Sequence, residues 1–282
     1  MAHPRLRVLT LNVYGPDNPG WEQRLPLLRH AVRTAGADVV ALQEVPPDGD
    51  VVPTIVGDGF SVAPFARRSD DGVSAVLATR APHRRLFELD QRLGGPGQIP
   101  WLATLAVEVE TPLGGVVVVH HKPSWPFPAE GERVLQAETA ARAVEAAVAA
   151  RDVHVVVLGD FDATSDADSM RLWAGRLHRP GLRIAYQDAW EAAHPGAAGW
   201  TFDAANPLVK GGQMPTGPSR RIDHVLVRAV DHGPTLAVLS CERLLDGPVD
   251  GVWASDHAGV VADLALPAHP LGKWAPGGVS GS

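Results

Sequence analysis

An α/β domain is what this sequence predicts, and three observations predict it. Apolar, strand-like runs recur along the chain, and two long segments of helical spacing lie among them. The 282 residues, 45% hydrophobic and 20% charged, are enough to bury a large core and have the make-up of an ordinary globule. No internal repeat and no linker divides the body. Residues 1–266 are therefore expected to form one domain, followed by a loose Gly-, Pro- and Ser-rich tail over 267–282.

Taken in order, residues 5–13 alternate as a strand that ends at Asn12. Residues 21–35 have helical spacing, with Leu25, Leu28, Val32 and Ala35 on one face. A buried strand over 39–42 runs into Gln43-Glu44. Strands are expected at 72–79 and 102–110, and at 114–121 after a Gly-Gly turn. Residues 130–151, rich in Ala and Glu with an apolar stripe, give the strongest helix signal. The apolar run 153–158 leads into Gly159-Asp160, and two last strands are expected at 222–227 and 260–264.

Composition narrows the function classes. A net charge of -7 leaves no overall cationic field for nucleic acid, although a local groove or a bound metal would escape that count. Cys241 is the single cysteine, so there is no internal disulfide and no cysteine-based zinc cluster; beside the apolar run 236–239 it reads as a small core residue. Residues 1–11 read as a first strand rather than a signal peptide, and no apolar run is long enough to span a bilayer. A cytoplasmic monomer is the default expectation.

Polar residues gather where the buried strands end: Asn12, Glu44, His121, Asp160 and Asp162, with Asp223 on a later strand and Asp256-His257 before the last. Each has a plain reading alone, as a turn residue, a solvated strand end, a helix cap or a surface histidine. Together they have the composition of a phosphoryl-transfer site. Asparagine and carboxylates are hard oxygen ligands for Mg²⁺, Mn²⁺ or Ca²⁺, and a histidine beside a carboxylate moves protons.

The motifs carrying these residues resemble those of the endonuclease/exonuclease/phosphatase family, the DNase I-like phosphoesterases. Leu9-Thr10-Leu11-Asn12-Val13 is similar to the first motif and Gln43-Glu44 to the second. His120-His121-Lys122 resembles the strand-end Thr-His-Leu, and Gly159-Asp160-Phe161-Asp162-Ala163 resembles Gly-Asp-Phe-Asn. Arg221-Ile222-Asp223-His224-Val225 resembles Arg-Ile-Asp-Tyr, and Ser255-Asp256-His257 matches the terminal Ser-Asp-His. All six occur in the family's order.

The resemblance implies a four-layer α/β sandwich, with two mostly antiparallel sheets face to face and helices outside. It implies that Glu44 binds a divalent metal, most simply Mg²⁺, with Asn12 and Asp256 as direct or water-mediated ligands. Asp160 would orient or deprotonate the attacking water, Asp223 and His257 would form a dyad, and His121 would donate to a phosphate oxygen. The reaction would be in-line attack of water on a phosphomono- or phosphodiester.

Two departures stand out. His120 competes with His121 for the histidine role, which the motif assigns to His121. Asp162 replaces an asparagine, and an ionised carboxylate beside phosphate has to be protonated, turned away or paired with a cation, the last being preferred. Lys122 and Trp125, in a Pro- and Trp-rich stretch, are expected to wall a substrate pocket, with Asn206 and Arg221 as further substrate contacts. Arg67-Arg68 and Arg84-Arg85 read as solvated faces. Scattered arginines and an acidic balance favour a small or lipid-like phosphoester over duplex DNA. The alternatives are a metal-dependent nuclease, a family fold turned to a non-phosphate metabolite, or binding only.

Overall fold

Strand follows strand with few interruptions in the computed structural model, which describes residues 4–94, 98–212 and 214–273. In chain order the elements are β1 (Leu6–Asn12), α1 (Trp21–Ala35), β2 (Val39–Val45), α2 (Val51–Val56), β3 (Ser61–Pro64), β4 (Ser74–Thr79), β5 (His83–Asp90), β6 (Ala103–Thr111) and β7 (Gly114–Lys122). They continue with α3 (Glu130–Val148), β8 (His154–Asp160), α4 (Asp168–Trp173), β9 (Tyr186–Asp188), α5 (Ala189–Ala193), α6 (Pro207–Lys210), β10 (Asp223–Val230), β11 (Gly233–Pro234), β12 (Ala237–Leu244) and β13 (Gly259–Ala265). Residues 274–282 of the expected tail lie outside the described residues.

Two sheets result. One has the order β12-β13-β1-β2-β4-β3; the other has β11-β10-β8-β7-β6-β5, with β9 also paired to β10. Each is antiparallel except for one inner parallel pair, β1 with β2 and β7 with β8. Period-two alternation divides the apolar side chains between layers. Val8, Val39, Val116, Val118, Val156 and Leu158 face the space between the sheets. Leu9, Leu11, Val40 and Leu42 face α1 and α2, where Leu28, Val32, Val52 and Ile55 cover them. Val117, Val119, Val155 and Val157 face α3, whose Ala137, Ala140, Ala141 and Val144 allow close approach. This is the expected four-layer sandwich.

Every expected strand and both long helices are present, although the second helix stops at Val148 rather than at Arg151. The strands β3, β5, β9 and β11 were not foreseen, and β12 only as the apolar run 236–239. β3 is four residues long and ends in Pro64. β5 carries Arg84 and Arg85, which are exposed and paired with Glu108 and Glu88. Cys241 is fully buried in β12, as its surroundings suggested.

Candidate active site

The parallel pairs aim their carboxyl ends at one place. β1 delivers Asn12, β2 delivers Glu44, β7 delivers Lys122 and β8 delivers Asp160. Asp223 lies directly across from Asp160 in the β8–β10 ladder, and the loop before β13 adds Asp256 and His257. Glu44, Lys122, Asp160, Asp162, Asp256 and His257 line a cleft of about 350 Å³.

Local backbone geometry does the aiming. Glu44 has φ 57° and is the extra residue where the β2–β4 register shifts between Gln43 and Val45. This bulge turns its carboxylate into the cleft. Tyr14 (φ 54°) and Asp162 (φ 51°) are also left-handed and line the same cleft. Strained non-glycine backbone is typical of sites held by their surroundings. Gly159 has φ 152°, and a Cβ there would sit 2.2 Å from the His121 carbonyl oxygen, so only glycine lets β8 bring Asp160 this close to β7.

Charge is distributed unevenly across the cleft floor. Asn12 Nδ2 donates to Glu44 Oε1 (3.0 Å) and Asp160 Oδ2 (3.2 Å), while its Oδ1 accepts from the Tyr14 N–H (3.0 Å). The Asn12 amide thus bridges two carboxylates, and its oxygen, with one lone pair engaged by Tyr14, keeps a second. Lys122 Nζ donates to Asp160 Oδ2 (2.7 Å) and to Asp162 Oδ2. The cation preferred for Asp162 is therefore an internal one. Burial works against ionisation of Asp160, but the charges of Lys122 and His257 hold it well below the usual carboxylate range.

Among the described residues no lysine or arginine is ion-paired with Glu44 or Asp256. Desolvation at the cleft floor raises Glu44, with Asn12 and Lys122 opposing. It pushes Asp256 up to about 7, with the charges of Glu44 and Asp160 adding and His257 opposing. Two hard oxygen donors that disfavour each other's ionisation fit a divalent cation between them.

His257 Nδ1 lies 2.8 Å from Asp223 Oδ2. Burial alone would lower the imidazole, but the charges of Asp223, Asp256 and Asp160 raise it well above its ordinary value. Asp160, Asp223 and His257 also bring ligating atoms within 4.8 Å of one another. Because Nδ1 is engaged by Asp223, this trio reads as a proton-handling dyad beside a carboxylate.

Supporting contacts that the sequence did not reveal fix the last loop. Ser255 Oγ donates to the Asn12 carbonyl (2.7 Å), and Asn206 Nδ2 donates to the Ser255 carbonyl (2.8 Å). Thr201 Oγ1 accepts from the backbone of Ile222 and Asp223. Arg24, fully buried, donates to the carbonyls of Val13, Tyr14, Gly15 and Ala254.

Strand parity corrects the histidine assignment. His120 faces the inter-sheet core, 2.6 Å from Gln43 Nε2. His121 faces the opposite layer, bonded to Thr104 Oγ1 (2.7 Å) and packed edge-on to Phe161 and Trp173. Burial pushes both down to about 3, so both are neutral. Neither lines the cleft; Lys122, one residue further, does.

Arg221 also turns away, paired with Asp188 (2.6 Å) and Glu191 (2.6 Å), and its neighbour Arg220 lines the cleft instead. Asn206 caps α6 through Leu208 N and is a support rather than part of the cleft wall. Trp125 lines the cleft as expected, with Trp101, Phe202, Leu208 and Met214 completing an apolar wall.

A DNase I-like sandwich with an acid-lined cleft at its strand ends is the class that fold and site define. The model of the Endonuclease/Exonuclease/phosphatase family matches residues 9–257, and the chain belongs to that family, whose members are hydrolases of phosphoester bonds that use divalent metals. Similar solved structures include D. rerio TDP2 complexed with a single-strand DNA product, at TM-score 0.71 and 19% identity over 93% of this chain and 99% of that one. An endonuclease/exonuclease/phosphatase from Beutenbergia cavernae is similar at TM-score 0.65 and 24% identity, over 94% and 72% of the two chains. The human Nocturnin catalytic domain with a bound sulfate anion is similar at 0.65 and 16%, over 94% and 96%. Among curated proteins, none matches this chain. No helix among the described residues is long and apolar enough to cross a membrane.

Proposed function

We propose that this chain is a divalent-metal-dependent phosphoesterase that hydrolyses a small or lipid-like phosphomono- or phosphodiester by in-line attack of water. The observation that carries this reading is one cleft in which the Asp223–His257 dyad, Asp160 and the Glu44–Asp256 pair stand against an apolar wall. Glu44 and Asp256 would hold the metal, most simply Mg²⁺. That cation supplies positive charge to the phosphate oxygens when bound.

The remaining roles belong to the chain. Asp160, held ionised by Lys122, is a weak base and orients the water more than it deprotonates it. His257, held cationic by Asp223, donates a proton or hydrogen bond from its other ring nitrogen to the developing charge. Lys122 takes the place expected for His121, keeping Asp160 and Asp162 in position and placing a positive charge beside the phosphate.

The preference against duplex DNA rests on the lining. Six carboxylates face three cations, Lys122, Arg220 and the imidazolium of His257, and two of the three are already ion-paired. A duplex needs several cationic contacts spread along its backbone. The test is a panel of bis- and mono-nitrophenyl phosphate, inositol phosphates, sphingomyelin and supercoiled plasmid, each with Mg²⁺, Mn²⁺ or chelator. Chelator-sensitive hydrolysis of a small or lipid ester, with slow plasmid nicking, is expected. Efficient nicking that falls steeply with salt would overturn the substrate preference, and turnover in excess chelator would overturn the metal assignment.

A further inference from the structure

We infer that Arg220 grips a non-bridging oxygen of the substrate phosphate; this deepens the phosphoesterase reading and rests on it. Arg220 is 9% exposed and lines the cleft. Among the described residues no carboxylate lies within ion-pair distance of it. Among the same residues its buried Nε has no hydrogen-bond partner, and its one side-chain hydrogen bond is a weak one from Nη2 to Met214 Sδ at 3.7 Å.

The other deeply buried arginines differ. Arg24 is surrounded by carbonyls, Arg133 is held by Glu130 and by the Ser124 and Pro126 carbonyls, and Arg221 by Asp188 and Glu191. An unpaired buried charge is costly unless something compensates it.

Two rings compensate in part. The Arg220 guanidinium lies 4.3 Å from the centroid of Phe127 and 5.3 Å from that of Phe202. Contact with ring faces stabilises the cation and leaves its N–H fork unused, and that fork matches the oxygens of a phosphate. The second cleft cation, Lys122, is committed to Asp160 and Asp162. Arg220 is thus the cleft cation whose counter-ion the described chain does not provide, and a phosphate oxygen supplies it.

Calorimetric titration with inorganic phosphate, which needs no turnover, tests this alongside inhibition by phosphate of bis-nitrophenyl phosphate hydrolysis. Arg220→Gln should weaken phosphate binding about tenfold or more, with Ki rising in step. Arg220→Lys should recover part of the affinity, because it keeps the charge and loses the fork. Phe127→Leu, outside the cleft lining, should weaken phosphate about threefold while leaving the unfolding midpoint in place. Unchanged phosphate affinity in Arg220→Gln, with a lowered unfolding midpoint, would overturn the inference and make Arg220 a tie between two loops. If the wild type binds phosphate through Arg220 yet hydrolyses no ester, the substrate reading fails and the Arg220 site stands.

Discussion

The two sheets are built alike around the cleft, and they differ in how they treat charge. Each contributes one parallel strand pair whose carboxyl ends meet the other's. From β7 and β8 come Lys122 and Asp160, and with Asp162 they form a closed ion cluster. From β1 and β2 come Asn12 and Glu44, an amide and a carboxylate with no cation of their own, facing Asp256. One side satisfies its carboxylates from within, and the other leaves two that burial and mutual repulsion raise above their ordinary range. The difference supports the proposal that an external cation sits on the side of the first sheet.

Removing the demand on that side should have the largest effect. Glu44→Gln, nearly unchanged in volume, is expected to abolish chelator-sensitive turnover while the fold survives; activity near wild type at saturating metal would break the comparison. Next come His257→Ala and Asp223→Asn, each expected to lower kcat/KM by about 10² to 10⁴-fold. Their double mutant should be little worse than the worse single, since groups acting as a unit lose function non-additively, and fully multiplicative losses would separate the pair.

The second side should respond in stability as well as in rate. Lys122→Met leaves Asp160 and Asp162 buried and unpaired, and breaking such a pair costs about 3–5 kcal/mol. Adding Asp162→Asn should restore part of that in a denaturant-melt cycle. Asp162→Asn alone should leave the metal titration curve in place, because Lys122 already fills the cation's role; a requirement for more metal would place a second ion there.

The smallest effect on chemistry is expected from Asp188→Asn, remote from the cleft. Burial disfavours the Asp188 carboxylate, but His224 and Arg221 hold it well below the usual range. A carboxylate depressed by folding stabilises the protein above its unfolded pKa of about 4 and stops doing so as pH falls through the folded value. The variant should therefore melt lower at pH 7, lose that deficit in acid, and keep kcat/KM within a few-fold.

The strand-end residues were legible because a rigid sheet leaves its chemistry where strands stop, and Asn12, Glu44, Asp160, Asp223 and His257 all sit where their motifs indicated. Lys122 lines the cleft as expected, and the facing of His121 was misjudged for a physical reason. β7 is buried on both faces, so its run of valines hides the alternation that would show which side each residue takes. Counting by twos from Val116 and Val118 reaches His120 in the inter-sheet core and Lys122 beyond it. His121 falls with Val117 and Val119 on the helix side. Arg220 and Arg221 pose the same difficulty, since adjacent arginines look alike until Asp188 and Glu191 claim one of them. Arg24 gave no signal, and Asn206 was expected to touch substrate rather than brace a loop, because their partners are backbone carbonyls far away along the chain.

The pairing of β1 with both β2 and β13 has a consequence for how the molecule is made. The Ser255 hydroxyl that braces the Asn12 carbonyl is synthesised 243 residues after it. Until then β1 is a bare strand edge beside β2, open to pairing with another nascent chain. Closing so long a loop is slow, and the dyad is complete only when His257 has arrived beside Asp223. A chain cut short before β13 would thus lose its chemistry and expose an adhesive edge at the same stroke.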